Sequence, residues 1–266
     1  MKNKSRSKVM FVFTIAIITI LFIGLLYLQI KSYNRDIKDH NSELSGYYAN
    51  QINTIVSNYG VAAQVYFEEA VNNNEKVIDL VAAANDASDS EKKILRDELY
   101  DLLKTTYQNA ITKNARQFHF HLKDCTSFLR LHKPESFGDS LEGIRDTVCT
   151  TRNTHARSFG FEEGRASNGY RFVFPLFKND EYIGSVEMSY SPSVITKAVE
   201  EVRGSPGLFI IKKSVSDEKV FTDLTNTYCL DSDISNEYYY DKEVYEQLFG
   251  AENETANNLY CRLIAS

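Results

Sequence analysis

Several chemistries are excluded by what the 266-residue chain lacks. Its four cysteines, at 125, 149, 229 and 261, have neither C-x-x-C pairing nor the spacing of a structural zinc site. Their spacing selects no disulfide, so free thiols are expected. No serine sits in a G-x-S-x-G elbow, and although Ser127, His132 and Asp139 supply the residue types of a hydrolytic triad, nothing presents a nucleophile. The chain is therefore not expected to be an enzyme. Net positive charge is missing too: of the formal −6, the N-terminal cations Lys2, Lys4, Arg6 and Lys8 contribute +4, which leaves −10 on residues 9–266. That balance argues against nucleic acid as a partner.

Charge is absent altogether from Val9 to Leu28, a run of 20 residues. At about 1.5 Å per residue a helix of this length crosses a hydrocarbon core of roughly 30 Å. The run passes directly into "QIKSYNRDIKD" without a small-residue cleavage site, so it reads as a retained transmembrane helix, not a signal peptide. The cations at residues 1–8 keep that short tail in the cytoplasm. Everything after about residue 30 is then expected outside, the chain being single-pass in the inner (cytoplasmic) membrane.

Residues 30–113 read as a helical stalk and lead helices. Tyr48, Ile52, Ile55, Tyr59, Ala62 and Tyr66 follow one another at alternating spacings of 4 and 3, one face of a helix that packs on its own domain and on a second copy. A homodimer is the expected assembly. "NDASDSE" at 85–91 breaks the helix, and Ser88 with Glu91 forms a capping box for a second one bearing Leu95, Leu99, Leu102 and Leu103. After Lys113 the period changes to two. "FHFHL" and "SFLRLH" form a hairpin about "KDCT"; a helix follows in "GDSLEGIRDTVCTTRNTH", then strands in "RSFGFEEGR", "GYRFVFPLFKND" and "EYIGSVEMSYS", the last two joined at Asn179–Asp180. The fold class is α+β: a small antiparallel sheet with a helix over one face.

The run from Phe118 to Asn153, followed by Gly160 to Ser189, resembles the extracytoplasmic double-Cache sensory domain of bacterial transmembrane receptors, the double sensory domain of two-component sensor kinases. The shared pattern includes Phe128, Arg130, His132, Pro134, Gly138, Asp139, Arg145, Gly160, Glu162, Gly164, Arg165, Gly169, Arg171, Pro175, Gly184 and Glu187. Cys125 departs from it where a turn glycine is more usual, and Ser140 where a second acid would follow Asp139. The resemblance implies PAS-like modules: a membrane-distal one at 114–190 and the start of a membrane-proximal one at 191–266, ending here on the strand-like "NNLYCRLIAS". In the second, Ser191–Pro192 opens a helix whose Val194, Ile195, Ala198, Val199 and Val202 face inward up to Gly204, and "GLFIIKKSV" is a strand.

Three of the five histidines lie between residues 118 and 139, and seven of the twelve arginines between 116 and 171. His119 and His121 sit at alternating strand positions and are expected to face solvent, which leaves a three-histidine metal site without support. Guanidinium forks hold carboxylates through paired, charge-assisted hydrogen bonds. The expected ligand site is therefore Arg130, His132, Arg145, Arg165, Tyr170 and Glu187, taking a small carboxylate-bearing molecule. Arg171 is assigned outward if Tyr170 is inward. No metal or cofactor is implied. Ligand binding would shift the long helices; kinase, chemoreceptor and cyclic-dinucleotide synthase outputs are equally open, and the alternative is a membrane-tethered binding protein with no output.

Overall fold

The computed structural model describes residues 2–164, 167–204, 206–220 and 229–250. The fold is α+β, and the chain divides into two compact units, Met1–Asn53 and Thr54–Ser266. The first unit is the greater part of α1 (Lys2–Phe67). Its apolar window, of mean hydropathy 2.7, is long and apolar enough to cross a membrane. The hydroxyls of Thr14 and Thr19 donate to the carbonyls of Met10 and Ile15 at 3.0 and 2.9 Å. Neither therefore brings an unsatisfied donor into that apolar stretch.

In the second unit, the end of α1 passes through a π-helical turn (Glu68–Asn72) into α2 (Glu75–Ala84) and α3 (Asp89–Ile111). The Ser88–Glu91 capping box is present, as the sequence predicts. Leu99 and Leu103 are buried on α3, whereas Leu102 is exposed and the buried face continues through Arg96 and Tyr107. Arg96 donates to the Phe128 carbonyl at 2.6 Å and lies 3.5 Å from the centre of the Phe137 ring, fastening α3 to the sheet.

That sheet has five strands in the order β2-β1-β5-β4-β3, all antiparallel: β1 Gln117–Leu122, β2 Ser127–Arg130, β3 Ser158–Glu162, β4 Gly169–Lys178 and β5 Glu181–Tyr190. The β4–β5 hairpin turns through Asn179 and Asp180, both at positive φ (50° and 64°), the pair of conformations a two-residue type I′ turn needs. One face is apolar. Phe118, Phe120, Phe172, Phe174, Met188 and Tyr190 are buried there, Phe67 stacks on Phe174 and Tyr59 packs tilted against Tyr190, each at 4.6 Å, and Gly60 leaves room for Phe172. Ile55 and Tyr59 of the sequence-derived stripe therefore pack within their own domain, while Val61 and Val65 remain exposed.

The opposite face is polar and is covered by residues 131–145 and α4 (Asp146–Thr154). The sequence places the start of this helix earlier. Gly143 at φ 70° and the extended Arg145 instead hold residues 141–145 in turns, so Leu141 and Ile144 precede the helix and Val148 lies on it. Residues 192–249 carry α5 (Pro192–Arg203), β6 (Ile210–Lys212), α6 (Lys213–Lys219), β7 (Cys229–Asp231), β8 (Tyr238–Asp241) and α7 (Lys242–Phe249), with a second antiparallel sheet ordered β6-β8-β7. Two expectations are corrected here: "KKSV" belongs mostly to α6, and Val202 is exposed, Ile195 being the residue of the expected apolar set that is fully buried. The strand expected in "NNLYCRLIAS" lies outside the described residues.

Candidate functional site

Strand alternation sends Gln117, His119 and His121 of β1 to the same side, opposite Ser189, Glu187 and Ser185 of β5. Arg171 of β4 pairs with Ser189 and with Gly160 of β3, which puts it on that side as well. The result is a buried polar layer. His119, His121, Arg171, Ser185, Glu187 and Ser189 are all at most 3 % exposed. His119 and His121 are thus not solvent-facing, because this sheet is covered on both faces.

Arg171 is the hub of the layer. It donates to Gln117 Oε1 at 2.6 Å, to Glu187 Oε1, and to the Ser167 carbonyl at 2.9 Å. Glu162 lies 3.7 Å from its Nε and also accepts from the backbone and side chain of Thr147 at 2.6 and 2.7 Å, so that a carboxylate from β3 satisfies the N-terminus of α4. His119 Nε2 meets Ser127 Oγ at 2.8 Å, and His121 Nδ1 meets Ser185 Oγ at 2.9 Å. Burial drives the His119 imidazole well below its usual range, His121 down to about 3 and His132 to about 4, with neighbouring arginines acting in the same direction. All three are neutral near pH 7.

Several groups around this hub have no partner. Nε and Nη1 of Arg145, Nε2 of His121, Nδ1 of His132 and Oε2 of Glu187 are buried without a hydrogen bond. Arg145 is the N-cap residue of α4, and its guanidinium lies against the Cα of Gly164, where a side chain would collide with it. Burial, and then the Arg171 charge, lowers its pKa to about 10, so it stays cationic. Glu163, buried nearby with Oε2 unpartnered, is raised to about 7 by burial. A buried unpaired donor costs about 1–3 kcal/mol, and more when charged. The layer therefore holds an unspent cation and neutral imidazoles as hydrogen-bonding groups.

The predicted site residues divide accordingly. Arg145, His132 and Glu187 border the layer. Arg130 reaches its edge but is engaged, with Nη1 and Nη2 on the two Asp139 oxygens at 2.7 and 2.9 Å. Tyr170 is on the other face, against Phe161, and Arg171 rather than Tyr170 points inward, which reverses the assignment made from the sequence. Arg165 lies outside the described residues. Sequence reasoning missed Arg171, Gln117, Glu162, His119 and His121. The signal was present as polar residues at every second position of β1 and β5 together.

His119, His121 and Glu187 also place ligand atoms within 4.8 Å of one another. Their surroundings oppose a cation: Glu187 is committed to Arg171, and the charges of Arg130, Arg145 and Arg171 act on the histidines. A surface cleft of about 390 Å³, lined by Ala83, Asp86, Ala87, Glu91, Ile94 and Leu95 of α2, α3 and their connection, contains none of these groups.

A five-stranded antiparallel sheet of this order, with helices on its apolar face and an arm closing over a charged layer, defines a PAS-like sensory module. The model of the family described as the double sensory domain of two-component sensor kinase matches residues 57–226, more than half of the chain. The chain belongs to this double-Cache family. Among solved structures it is similar to the sensor domain of the Vibrio cholerae histidine kinase DctB (14 % identity, 59 % of each chain, TM-score 0.41). It is similar also to a domain of a putative sensory box/GGDEF family protein from Vibrio parahaemolyticus (13 %, 63 % of this chain and 65 % of that one, TM-score 0.37). A third is the ligand-binding domain of the Campylobacter jejuni chemoreceptor Tlp3 in complex with L-valine (11 %, 63 % and 70 %, TM-score 0.34). The chain spans about three fifths of the DctB structure. No curated protein matches it.

Proposed function

We propose that the chain is the extracytoplasmic sensing region of a bacterial single-pass transmembrane receptor, and that it binds a small carboxylate-bearing molecule in the polar layer beneath residues 131–145. The observation that carries this reading is the buried guanidinium of Arg145, with two unpartnered nitrogens beside the unpartnered His121 Nε2, His132 Nδ1 and Glu187 Oε2. A carboxylate accepts from the guanidinium fork and from imidazole N–H groups. Glu187 Oε2 accepts from a neutral ligand hydroxyl or amide N–H, and Arg171 holds Glu187 in place. The family match supports the sensing role.

The loop after β3 offers a route outward. Asn168 donates to Asp241 at 2.8 Å, and Asp241 caps α7 through Val244 N at 3.0 Å. Arg116, at the head of β1, pairs with Glu243. A ligand that shifts Asn168 acts directly on the second module through Asp241, and only a ligand with different affinities for two arrangements transmits a signal. The exposed Val61 and Val65 on α1 support a homodimer along that helix. The test is a thermal-shift screen of amino acids and mono- and dicarboxylates on the full chain in detergent. A carboxylate that stabilises the parent and Tyr170→Phe but not Arg145→Met supports the site; one that stabilises all three places binding elsewhere.

A further inference from the structure

We propose that Cys125 and Cys149 form a disulfide that staples the β1–β2 turn to α4 and closes the arm over the polar layer. The sulfurs of Cys125 and Cys149 and a carboxylate oxygen of Glu142 lie within 4.8 Å of one another. Cys125 is buried with Leu141, Val148 and Val173, and the half-buried Cys149 packs against this cluster. The backbone fixes the approach: Cys125 donates to the Leu122 carbonyl and accepts from Leu141, both at 3.0 Å.

The turn conformation is a second, independent observation. Cys125 has φ 66°, the left-handed region, where glycine carries no penalty and a residue with a Cβ does. The hairpin nevertheless closes with cysteine there, and its side chain is the one feature a glycine would not supply. A metal reading of the same cluster is weaker, because both Glu142 oxygens are taken by Arg152, at 2.6 and 3.1 Å.

The chemistry is thiol–disulfide exchange with an extracytoplasmic disulfide, protein or small-molecule, as oxidant. Cys149, the more accessible thiol, loses its proton and attacks one sulfur of the donor, whose S–S bond breaks to release one donor thiolate. Cys125, whose thiol burial pushes up to about 12, acts second. It loses its proton, attacks Cys149 Sγ and expels the second donor thiolate. The two protein thiols are oxidised to one S–S bond, the donor is reduced to two thiols, and the two protons are carried by those thiols. The bridge depends on the extracytoplasmic placement proposed above, since reducing compartments keep such thiols free. It encloses residues 126–148, which include Arg130, His132 and Arg145, and so ties down the arm that brings those groups to the layer.

The experiment is peptide mapping of the full parent chain, alkylated in cells before lysis and, separately, after purification in detergent and equilibration with oxidised glutathione. A Cys125–Cys149-linked peptide is expected in both. Reduction should lower Tm by roughly 6–12 °C, the effect expected for a loop of about this length in a domain of this size. Cys149→Ser should show the lower Tm with or without reductant. Alkylation of both cysteines after glutathione treatment overturns the proposal, as does a linkage to Cys229 or Cys261, or one zinc per chain that Cys149→Ser removes. A bridge that forms with glutathione while both thiols are free in cells also overturns it, and the extracytoplasmic placement with it.

Discussion

Arg145→Met removes the group on which the ligand-site reading turns while keeping most of its apolar stem. In the ligand-free protein this cation is more than nine-tenths buried and two of its nitrogens are unpartnered. Its pKa, held at about 10 against an ordinary 12.5, measures the unfavourable balance of burial and the Arg171 charge against Glu187 and Glu162. At about 1.4 kcal/mol per tenfold shift in protonation equilibrium, that corresponds to roughly 3 kcal/mol. Arg145 makes no side-chain capping bond to α4, so substitution forfeits no cap. Part of the gain is lost to imperfect packing of the thioether, typically under about 1.5 kcal/mol for a volume-conserving change. The ligand-free variant should therefore be about 1–2 kcal/mol more stable than the parent, read by urea denaturation of the full chain in detergent at unchanged m-value. A loss of 2 kcal/mol or more would refute the reasoning, because it would make Arg145 a satisfied structural cation and not one awaiting an anion.

Stability should fall on acidification. His119, His121 and His132 are neutral when folded but take up protons below about pH 6.5 when unfolded, so each contributes fully above that value and loses about 1.4 kcal/mol per pH unit below it. Glu163, raised to about 7 from 4.5, has the opposite sign: its contribution is present below pH 4.5 and lost as the pH rises towards 7, offsetting about one histidine. A net loss of about 4 kcal/mol from pH 7 to pH 5 is expected in denaturation curves, and a flat profile would contradict neutral buried imidazoles. Glu187→Gln leaves Arg171 with only Glu162 as a charged partner and should cost about 3–5 kcal/mol, as broken buried pairs do; a cost under 1 kcal/mol would show the layer to be hydrated. Gly184→Ala sits at φ 145°, where a Cβ would run into the His121 carbonyl, and should cost at least about 2 kcal/mol by thermal melting, whereas Gly138→Ala, at φ 81° with open space around it, should cost less.

How much of this was legible in the sequence depended on whether the information was local. The Ser88–Glu91 box, the Asn179–Asp180 turn and the strand, strand, helix, strand, strand, strand order each follow from a few neighbouring residues, and all are present. Alternation in β1 and β4 was visible as well, but it gives only parity. Whether the His119 side or the Phe118 side is open to water depends on residues 131–145, whose turns are set by Gly143 and by hydrogen bonds back to β1, β2 and the turn between them, and on how that arm folds over the sheet. Hence His119 and His121 were expected outside, and Arg171 and Tyr170 were exchanged. The first two residues of "KKSV" continue an apolar strand as naturally as they begin a helix, and nothing local decides between the two.

The most direct test of the account pairs a chemical change in the ligand with one in the protein. For any carboxylate that stabilises the parent, affinity would be measured by titration calorimetry alongside its uncharged primary amide, on both the parent and Arg145→Met. If the anion is held by Arg145, replacing carboxylate by amide should weaken binding to the parent at least tenfold, about 1.4 kcal/mol, and have little effect on the variant. An equal loss in both proteins would contradict the central claim, since the ligand's charge would then be read by some group other than the buried arginine.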